Sequence, residues 1–147
     1  MYFKICFIIV QGLLFTAALM DLLKQEVYDL LWMIFVPLST VLLILSGKAT
    51  LPVFISLMIY FIIQEVIMAR VYGRADCHAL WCCGLLFSAF GAELEVYAFH
   101  MAVTFVLMCV VQFIKKNIGP RLKLKKKIAM IPYILVGFWL VFVICVP

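Results

Sequence analysis

The stretch formed by residues 2–21, YFKICFIIVQGLLFTAALMD, decides the fold of this 147-residue chain. It is an apolar run with a lysine near its start and an aspartate at its end. As a helix, such a run is long enough to cross about 30 Å of hydrocarbon. Its end, Met20-Asp21-Leu22, lacks the small-residue cleavage site of a secretory signal peptide. We therefore interpret residues 2–20 as a membrane span of the mature protein.

Five further apolar runs follow, at residues 30–45, 51–69, 77–92, 96–114 and 128–145. Hydrophobic residues make up 69% of the chain and the mean hydropathy is +1.26, which leaves too little polar surface for a water-soluble protein. The sequence predicts an all-α, polytopic membrane protein with six transmembrane helices in a single domain, residues 1–147. Because the fourth run is short, the residues that precede it are expected to lie at the membrane boundary.

The basic residues are distributed unequally between the two sides of these spans. Lys24, Arg70, Arg74 and the seven basic residues from Lys115 to Lys127 fall on one side, and two lysines fall on the other. Ten lysine and arginine residues lie on one side and two on the other. The side with ten is therefore predicted to face the cytoplasm, and both termini are predicted to lie outside. The net charge of +5 comes largely from the segment Lys115 to Lys127. We expect that segment to bind anionic lipid headgroups, and we predict no nucleic-acid partner.

The cysteines and histidines do not form a recognisable metal-binding pattern. The six cysteines are scattered, mostly within apolar runs and without a CxxC motif, which favours a packing role. His78 and Cys82 could share a helix face, but no third and fourth ligands follow at the usual spacing. His100 is interpreted as a buried imidazole with a hydrogen-bond partner. We therefore predict neither a metal nor another cofactor.

Acidic residues are the most informative polar feature of the sequence. Five of the seven carboxylates fall on or near the predicted cytoplasmic side: Asp21, Glu26, Asp29, Glu65 and Asp76. Asp21 ends the first span and Asp76 begins the fourth, so two helices could bring both carboxyl groups together. Two close carboxylates tend to share one proton, which supplies an acid and a base in one site. Such a pair can activate water against a peptide carbonyl without a metal.

Position alone leaves other interpretations of these acids open. Asp21 could be a charged stop at a helix end, and Asp76 could cap the N-terminus of the fourth helix. Glu65, beside Gln64 in the third span, could line a watery cavity or relay protons. A small transporter or a nonenzymatic scaffold, with Asp21, Glu65 and Asp76 as an ion or proton path, is the alternative function.

The segments around the two aspartates resemble the motifs of the type IV prepilin peptidase family, which are GxGD-type aspartyl proteases. Met20-Asp21-Leu22-Leu23-Lys24 is similar to the family's first motif, in which an Asp ends a helix and basic residues follow. Gly73-Arg74-Ala75-Asp76 is similar to the second motif, Gly-x-(Gly/Ala)-Asp. The run Lys125-Lys126-Lys127 before Ile131-Pro132-Tyr133, with the later Gly137, resembles the family's last core helix. The resemblance covers the entire chain.

The resemblance implies a prokaryotic, multi-pass protease of the cytoplasmic membrane, with Asp21 and Asp76 as catalytic residues. Its expected substrates are prepilin or pseudopilin-like single-pass precursors, whose basic leader is removed at the cytoplasmic surface. Gly73, Lys24, His78, Glu65 and Pro132 are expected to support the active site or the substrate.

The sequence departs from the family pattern at two places. Val27-Tyr28-Asp29 stands where Ile-Pro-Asn is usual, and His78 stands where Lys is usual. Either change could alter the choice of substrate. The chain also lacks the cytoplasmic insertion with CxxC pairs, which implies that it has neither the methyltransferase activity nor the zinc of the bifunctional members.

Overall fold

The computed structural model of the protein describes residues 2–70, 73–122 and 129–146. Within these ranges the chain is helical and contains no strand, which confirms the predicted all-α class. The α-helices are α1 (Tyr2–Lys24), α2 (Asp29–Leu45), α3 (Leu51–Ile62), α4 (Arg74–Ser88), α5 (Leu94–Leu122) and α6 (Ile131–Cys145).

Three stretches of the described chain are long and apolar enough to cross a membrane. They are Tyr2–Lys24, Leu51–Arg70 and Leu94–Asn117, and the second of these comprises α3 and the turns that follow it. α2 and α6 are shorter apolar helices, and α4 has 15 residues, so the predicted shortness of the fourth helix is confirmed. These helices indicate a membrane protein, and the count of six spans stays a prediction.

Aromatic contacts show how the helices run relative to one another. The rings of Phe3 and Phe7, near the start of α1, lie 5.6 and 5.4 Å from the ring of Phe90, just beyond the end of α4. Phe7 also stacks on Phe142 in the last turn of α6, at 6.0 Å. α1 is therefore antiparallel to α4 and α6, and its first turn lies at the same end of the bundle as the last turn of α6.

α4 is the central helix of the bundle. It packs against α2, α3, α5 and α6, and every residue from Cys82 to Ala89 is buried. At Gly84 a Cβ would lie 3.1 Å from the ring of Tyr60, so the glycine allows α3 to approach closely. Because neighbours surround α4, its sequence from Ala79 to Phe87 is apolar on all sides of the helix.

The third apolar run does not end as a regular α-helix, although the sequence predicted one continuous helix over residues 51–69. α3 is followed by a π-helical turn, Ile63–Ile67, and then by a 3₁₀ turn, Met68–Arg70. In the π turn Gln64 is buried, with its Nε2 3.2 Å from the Sδ of Met101 in α5. In an all-apolar run the change of helix face caused by one inserted residue leaves no visible break in the sequence pattern.

Two helices extend beyond the predicted spans. α1 continues past Met20 to Lys24 and ends at Gln25, whose φ of 58° lies in the left-handed region. α5 continues past Ile114, so Lys115 and Lys116 are helical and not part of a loop. Apolar composition marks the residues that can lie in a membrane, but a helix can continue beyond them. Lysine is a good helix former and does not end the helix. The rest of the basic segment is described only in part, since residues 123–128 lie outside the described residues.

Candidate active site

Four helix ends meet on the side of the bundle opposite to Phe3 and Phe142. The ring of Trp32, in the first turn of α2, lies 6.0 Å from the ring of His78, in the first turns of α4. The last turn of α1 is hydrogen-bonded to the first residue of α6. We call this side of the bundle the aspartate end, because it carries Asp21 and Asp76.

Asp21 is a buried carboxylate, with only 9% of the residue exposed. It continues the buried stripe of α1, since three- and four-residue spacing places it on the same helix face as Leu14, Ala17 and Ala18. Its Oδ2 accepts a hydrogen bond of 2.9 Å from the backbone N–H of Ile131, the first residue of α6. The first N–H groups of a helix have no partner within the helix, so Asp21 caps α6 across a large sequence distance.

Asp76 occupies the third position of α4 and Gly73 the N-cap position, so Asp76 caps the helix from within its first turn and not as the N-cap residue itself. The Oδ2 of Asp76 accepts a hydrogen bond of 3.2 Å from the backbone N–H of Gly73. A Cβ at residue 73 would lie 3.3 Å from that same oxygen. Glycine therefore leaves room for the carboxylate beside the start of the helix, which accounts for Gly73 by packing.

The structure brings the two aspartates to the same end of the bundle. α1 and α4 share two neighbours, since each packs against α2 and against α6. Each carboxylate is oriented by a backbone N–H, from Ile131 in one case and Gly73 in the other. Two oriented carboxylates at one end of an apolar bundle can divide the duties of acid and base between them.

The carboxylate of Glu65 lies close to the imidazole of His78, which follows Asp76 by two residues in α4. The Oε1 of Glu65, in the π turn, lies 3.8 Å from the Nε2 of His78. Between Asp76 and His78 lies the buried Cys77. The sequence prediction named Glu65 and His78 but missed their pairing. The sequence did contain a signal for this pairing. Glu65 and His78 lie at similar numbers of residues from the short connection between α3 and α4, so the two helices can bring them to the same level.

The other predicted support residues lie at the same end but in different contacts. The Nζ of Lys24 lies 5.6 Å from the ring centroid of Tyr28, between α1 and α2. Pro132 is in the first turn of α6, directly after the residue that Asp21 caps.

His100 is buried, and its Nε2 lies 3.0 Å from the carbonyl oxygen of Ile134, so the prediction of a buried, hydrogen-bonded imidazole is confirmed.

The described residues include no group of three or more His, Cys, Asp or Glu side chains that could hold a metal ion. All six cysteines are free, and Cys82, the suggested partner of His78, is fully buried. The acids are divided between the two ends of the bundle. Asp21, Glu26, Asp29, Glu65 and Asp76 lie towards the aspartate end, and the other two precede or begin α5.

No protein-family model matches this chain, no curated protein matches it in sequence, and no solved structure matches it in fold. The resemblance to prepilin peptidases therefore stays a prediction made from the motifs around Asp21 and Asp76.

Proposed function

We propose that this chain is a membrane aspartic endopeptidase that removes the basic leader from prepilin or pseudopilin-like single-pass precursors. The observation that carries the proposal is the placement of a buried Asp21 and a helix-starting Asp76 at one end of the bundle. A buried carboxylate in an apolar protein is costly, and such residues generally mark functional sites. The two sequence motifs add support, because each contains one of these aspartates.

In the proposed mechanism, the two carboxylates work as one unit that holds a single proton. The ionised carboxylate takes a proton from a water molecule as the water attacks the scissile carbonyl carbon. The protonated carboxylate donates a hydrogen bond to the carbonyl oxygen and later gives a proton to the leaving nitrogen. The backbone N–H groups of Ile131 and Gly73 hold the carboxylates in place, so that little reorganisation is needed.

The aspartate end faces the cytoplasm in this proposal, and all six helices span the cytoplasmic membrane of a prokaryote. Lys24, Arg70, Arg74, Lys115 and Lys116 all lie towards this end of the bundle, in agreement with the preference of lysine and arginine for the cytoplasmic side. In a precursor with a basic leader and an apolar helix, the peptide bonds that join the leader to the helix would then lie at the same membrane depth as the aspartates. Anionic lipid headgroups are the proposed partners of the basic segment Lys115 to Lys127.

Thiol labelling tests the proposed sidedness. Lys24 and Glu93 are both exposed, one at the aspartate end and one before α5. We expect a membrane-impermeant maleimide to label Glu93→Cys in intact cells, and to label Lys24→Cys only after permeabilisation. The unsubstituted chain gives the background from the exposed Cys109 and Cys145. Equal labelling of both variants in intact cells would overturn the topology.

Coexpression with a tagged precursor tests the proposed activity. The native chain is expected to convert a prepilin-like precursor from the same genome to a shorter form. Mass spectrometry of the product should place the new N-terminus between the basic leader and the apolar helix. A precursor whose leader carries no basic residues serves as the matched substrate control. If no single-pass precursor of that genome is shortened, the protease proposal fails.

A further inference from the structure

The ring of helices around α4 is open on one side. Around this ring, α2 packs against α1, α1 against α6, α6 against α5, and α5 against α3. Between α2 and α3 the described residues form no comparable packing. At the outer end of these two helices, a cavity of about 310 Å³ is lined by Leu43 of α2 and by residues at the start of α3, including Phe54. The described part of the bundle is therefore open to the membrane between α2 and α3.

At the aspartate end this opening forms a groove over the first turns of α4. We call it the α2–α3 groove, and it is formed by Trp32, Phe61, Glu65, His78 and Trp81. His78 and Trp81 form its floor, because they lie on one face of α4 and are partly exposed. The ring of Trp32 in α2 lies 6.0 Å from the ring of His78, and the ring of Phe61 in α3 lies 5.0 Å from that of Trp81. The groove thus has an aromatic wall on each side.

Three ring nitrogens of the groove have no hydrogen-bond partner within the described chain. They are the Nε1 of Trp32, the Nδ1 of His78 and the Nε1 of Trp81. Neighbouring side chains cover these atoms, and Trp32 as a whole is only 4% exposed. A covered polar group without a partner is costly, and hydrocarbon supplies no water to pair with it. Because no hydrogen bond of the described chain holds the two indole rings, they can turn toward a bound molecule without breaking one.

Glu65 adds an acceptor to the indole donors of the groove. It lies in the π-helical turn Ile63–Ile67, and its side chain is 32% exposed. Its Oε1 is 3.8 Å from the Nε2 of His78, which is longer than a hydrogen bond, so the carboxylate can still accept one from a bound N–H group. π-Helical turns are rare and are frequent at functional sites. The α2–α3 groove therefore combines donors, an acceptor and apolar rings.

We propose that the α2–α3 groove binds the precursor in an extended conformation at the junction between its leader and its apolar helix, an inference that rests on the proposed protease function. A carbonyl group within a helix is already hydrogen-bonded and is shielded by the helix, so the segment to be cleaved leaves the helical conformation. In a membrane, each N–H and C=O group freed in this way requires a new partner. Trp32 and Trp81 donate to its carbonyl oxygens, and Glu65 accepts from one of its N–H groups.

The chemistry of the groove fits a peptide better than a phospholipid. The phosphate and ester oxygens of a phospholipid could accept hydrogen bonds from the indoles, but they cannot donate one to Glu65. The negative phosphate would also be repelled by that carboxylate. A single-pass precursor lies within the bilayer and approaches the bundle from the side, where the described helices are open between α2 and α3. The precursor is therefore the occupant that matches both the donors and the acceptor.

Site-specific photocrosslinking tests where the precursor binds. p-Benzoylphenylalanine replaces either Phe61, in the α2–α3 groove, or Phe54, which lies two turns earlier in α3 and lines the cavity at the outer end. Both chains also carry Asp76→Asn, so that the precursor is held and not cut. After irradiation of membranes that contain a tagged precursor, we expect an adduct between chain and precursor from residue 61, and none above background from residue 54.

The kinetics of Trp81→Phe provide a second test, which does not depend on the photoreactive residue. This variant keeps an aromatic ring in the groove and removes the indole N–H. We expect the KM for the purified precursor to rise about three- to tenfold, the equivalent of one hydrogen bond, with kcat within about twofold of the native value. Trp139→Phe is the matched control, because Trp139 is exposed on α6, and its KM should equal that of the native chain.

The outcomes separate the binding site from the function on which it rests. If the native chain cleaves the precursor but residue 61 gives no adduct with it, or no more than residue 54, the binding site is wrong and the protease function stands. An adduct from residue 61 with lipid alone would show that the groove holds lipid, and equal KM values for Trp81→Phe and the native chain would also contradict the inference. If the native chain cleaves no precursor, the proposed function fails, and the inference fails with it.

Discussion

Asp21→Asn and Asp76→Asn are each expected to reduce precursor cleavage by about a thousandfold or more, because each removes an acid or a base from the same reaction. In the structure, both variants can retain the hydrogen bonds that the aspartates accept. An asparagine oxygen at residue 21 can still accept the hydrogen bond from the backbone N–H of Ile131, and one at residue 76 can still accept the bond from Gly73. The helix caps are preserved, so membrane insertion and protein level should match those of the native chain.

Glu26→Gln is the matched control for these two variants. Glu26 is exposed between α1 and α2, at the same end of the bundle, so this change also removes one carboxylate there. It should leave cleavage within about twofold of the native rate, as is usual for surface substitutions away from a site. Cleavage is quantified as the ratio of processed to unprocessed precursor after coexpression, and then as kcat with purified protein.

Asp21→Ala distinguishes catalysis from capping. It leaves the N–H of Ile131 without its partner, which costs about 1–3 kcal/mol of stability for a buried group. If capping is the whole role of Asp21, the alanine variant loses stability while the asparagine variant retains cleavage. Full cleavage by Asp21→Asn would therefore remove Asp21 from the catalytic pair and would contradict the proposed mechanism.

Much of the fold was predictable because apolar runs bounded by charges and glycines specify helices in a membrane. Each of the six helices overlaps one predicted span, and the alternation of direction follows from their short connections. The errors occur at ends such as Lys24 and Leu122, where the helix continues beyond the apolar residues. Hydropathy describes which residues enter a membrane, and it carries little information about where backbone hydrogen bonding stops.

The location of the candidate site residues was predictable, and their contacts were less so. The motifs identified Asp21 and Asp76, and both lie at the same end of the bundle as expected. The bond from Ile131 to Asp21 has no sequence signal, because it depends on how α1 packs against α6. The pairing of Glu65 with His78 depends on the π turn, which no periodic pattern indicates.

The tightest helix contact gives a second prediction, for Gly137→Ala. α5 and α6 pack closely, and a Cβ at residue 137 would lie 2.7 Å from the Oγ1 of Thr104 and 3.5 Å from the Cδ2 of His100. Such a separation is too short for two nonbonded heavy atoms, so the side chain of Thr104 or one of the two helices must shift. Overpacking of this kind costs about 1–3 kcal/mol. We expect a lower midpoint of thermal unfolding in detergent micelles, and a weaker bond between His100 and the carbonyl of Ile134.

Gly12→Ala is the matched control for Gly137→Ala. Gly12 lies in α1, and a Cβ at this position would have no neighbouring atom of the described chain within 4 Å, so alanine meets open space there. Because alanine has the higher helix propensity, by about 1 kcal/mol, this variant should be as stable as the native chain or more so. Equal loss of stability in both variants would mean that glycine is needed for a reason other than packing.

Substitutions at Thr104 test whether the clash is with its hydroxyl oxygen. Thr104 is fully buried and its Oγ1 has no hydrogen-bond partner in the described chain, so Thr104→Ala and Thr104→Val should each change stability by less than about 1 kcal/mol. Alanine removes the atom that meets residue 137, whereas valine puts a methyl group in its place. Gly137→Ala should therefore be rescued by Thr104→Ala and not by Thr104→Val. Rescue by both variants, or by neither, would show that α5 and α6 are separated at this point by something other than the contact between residues 104 and 137.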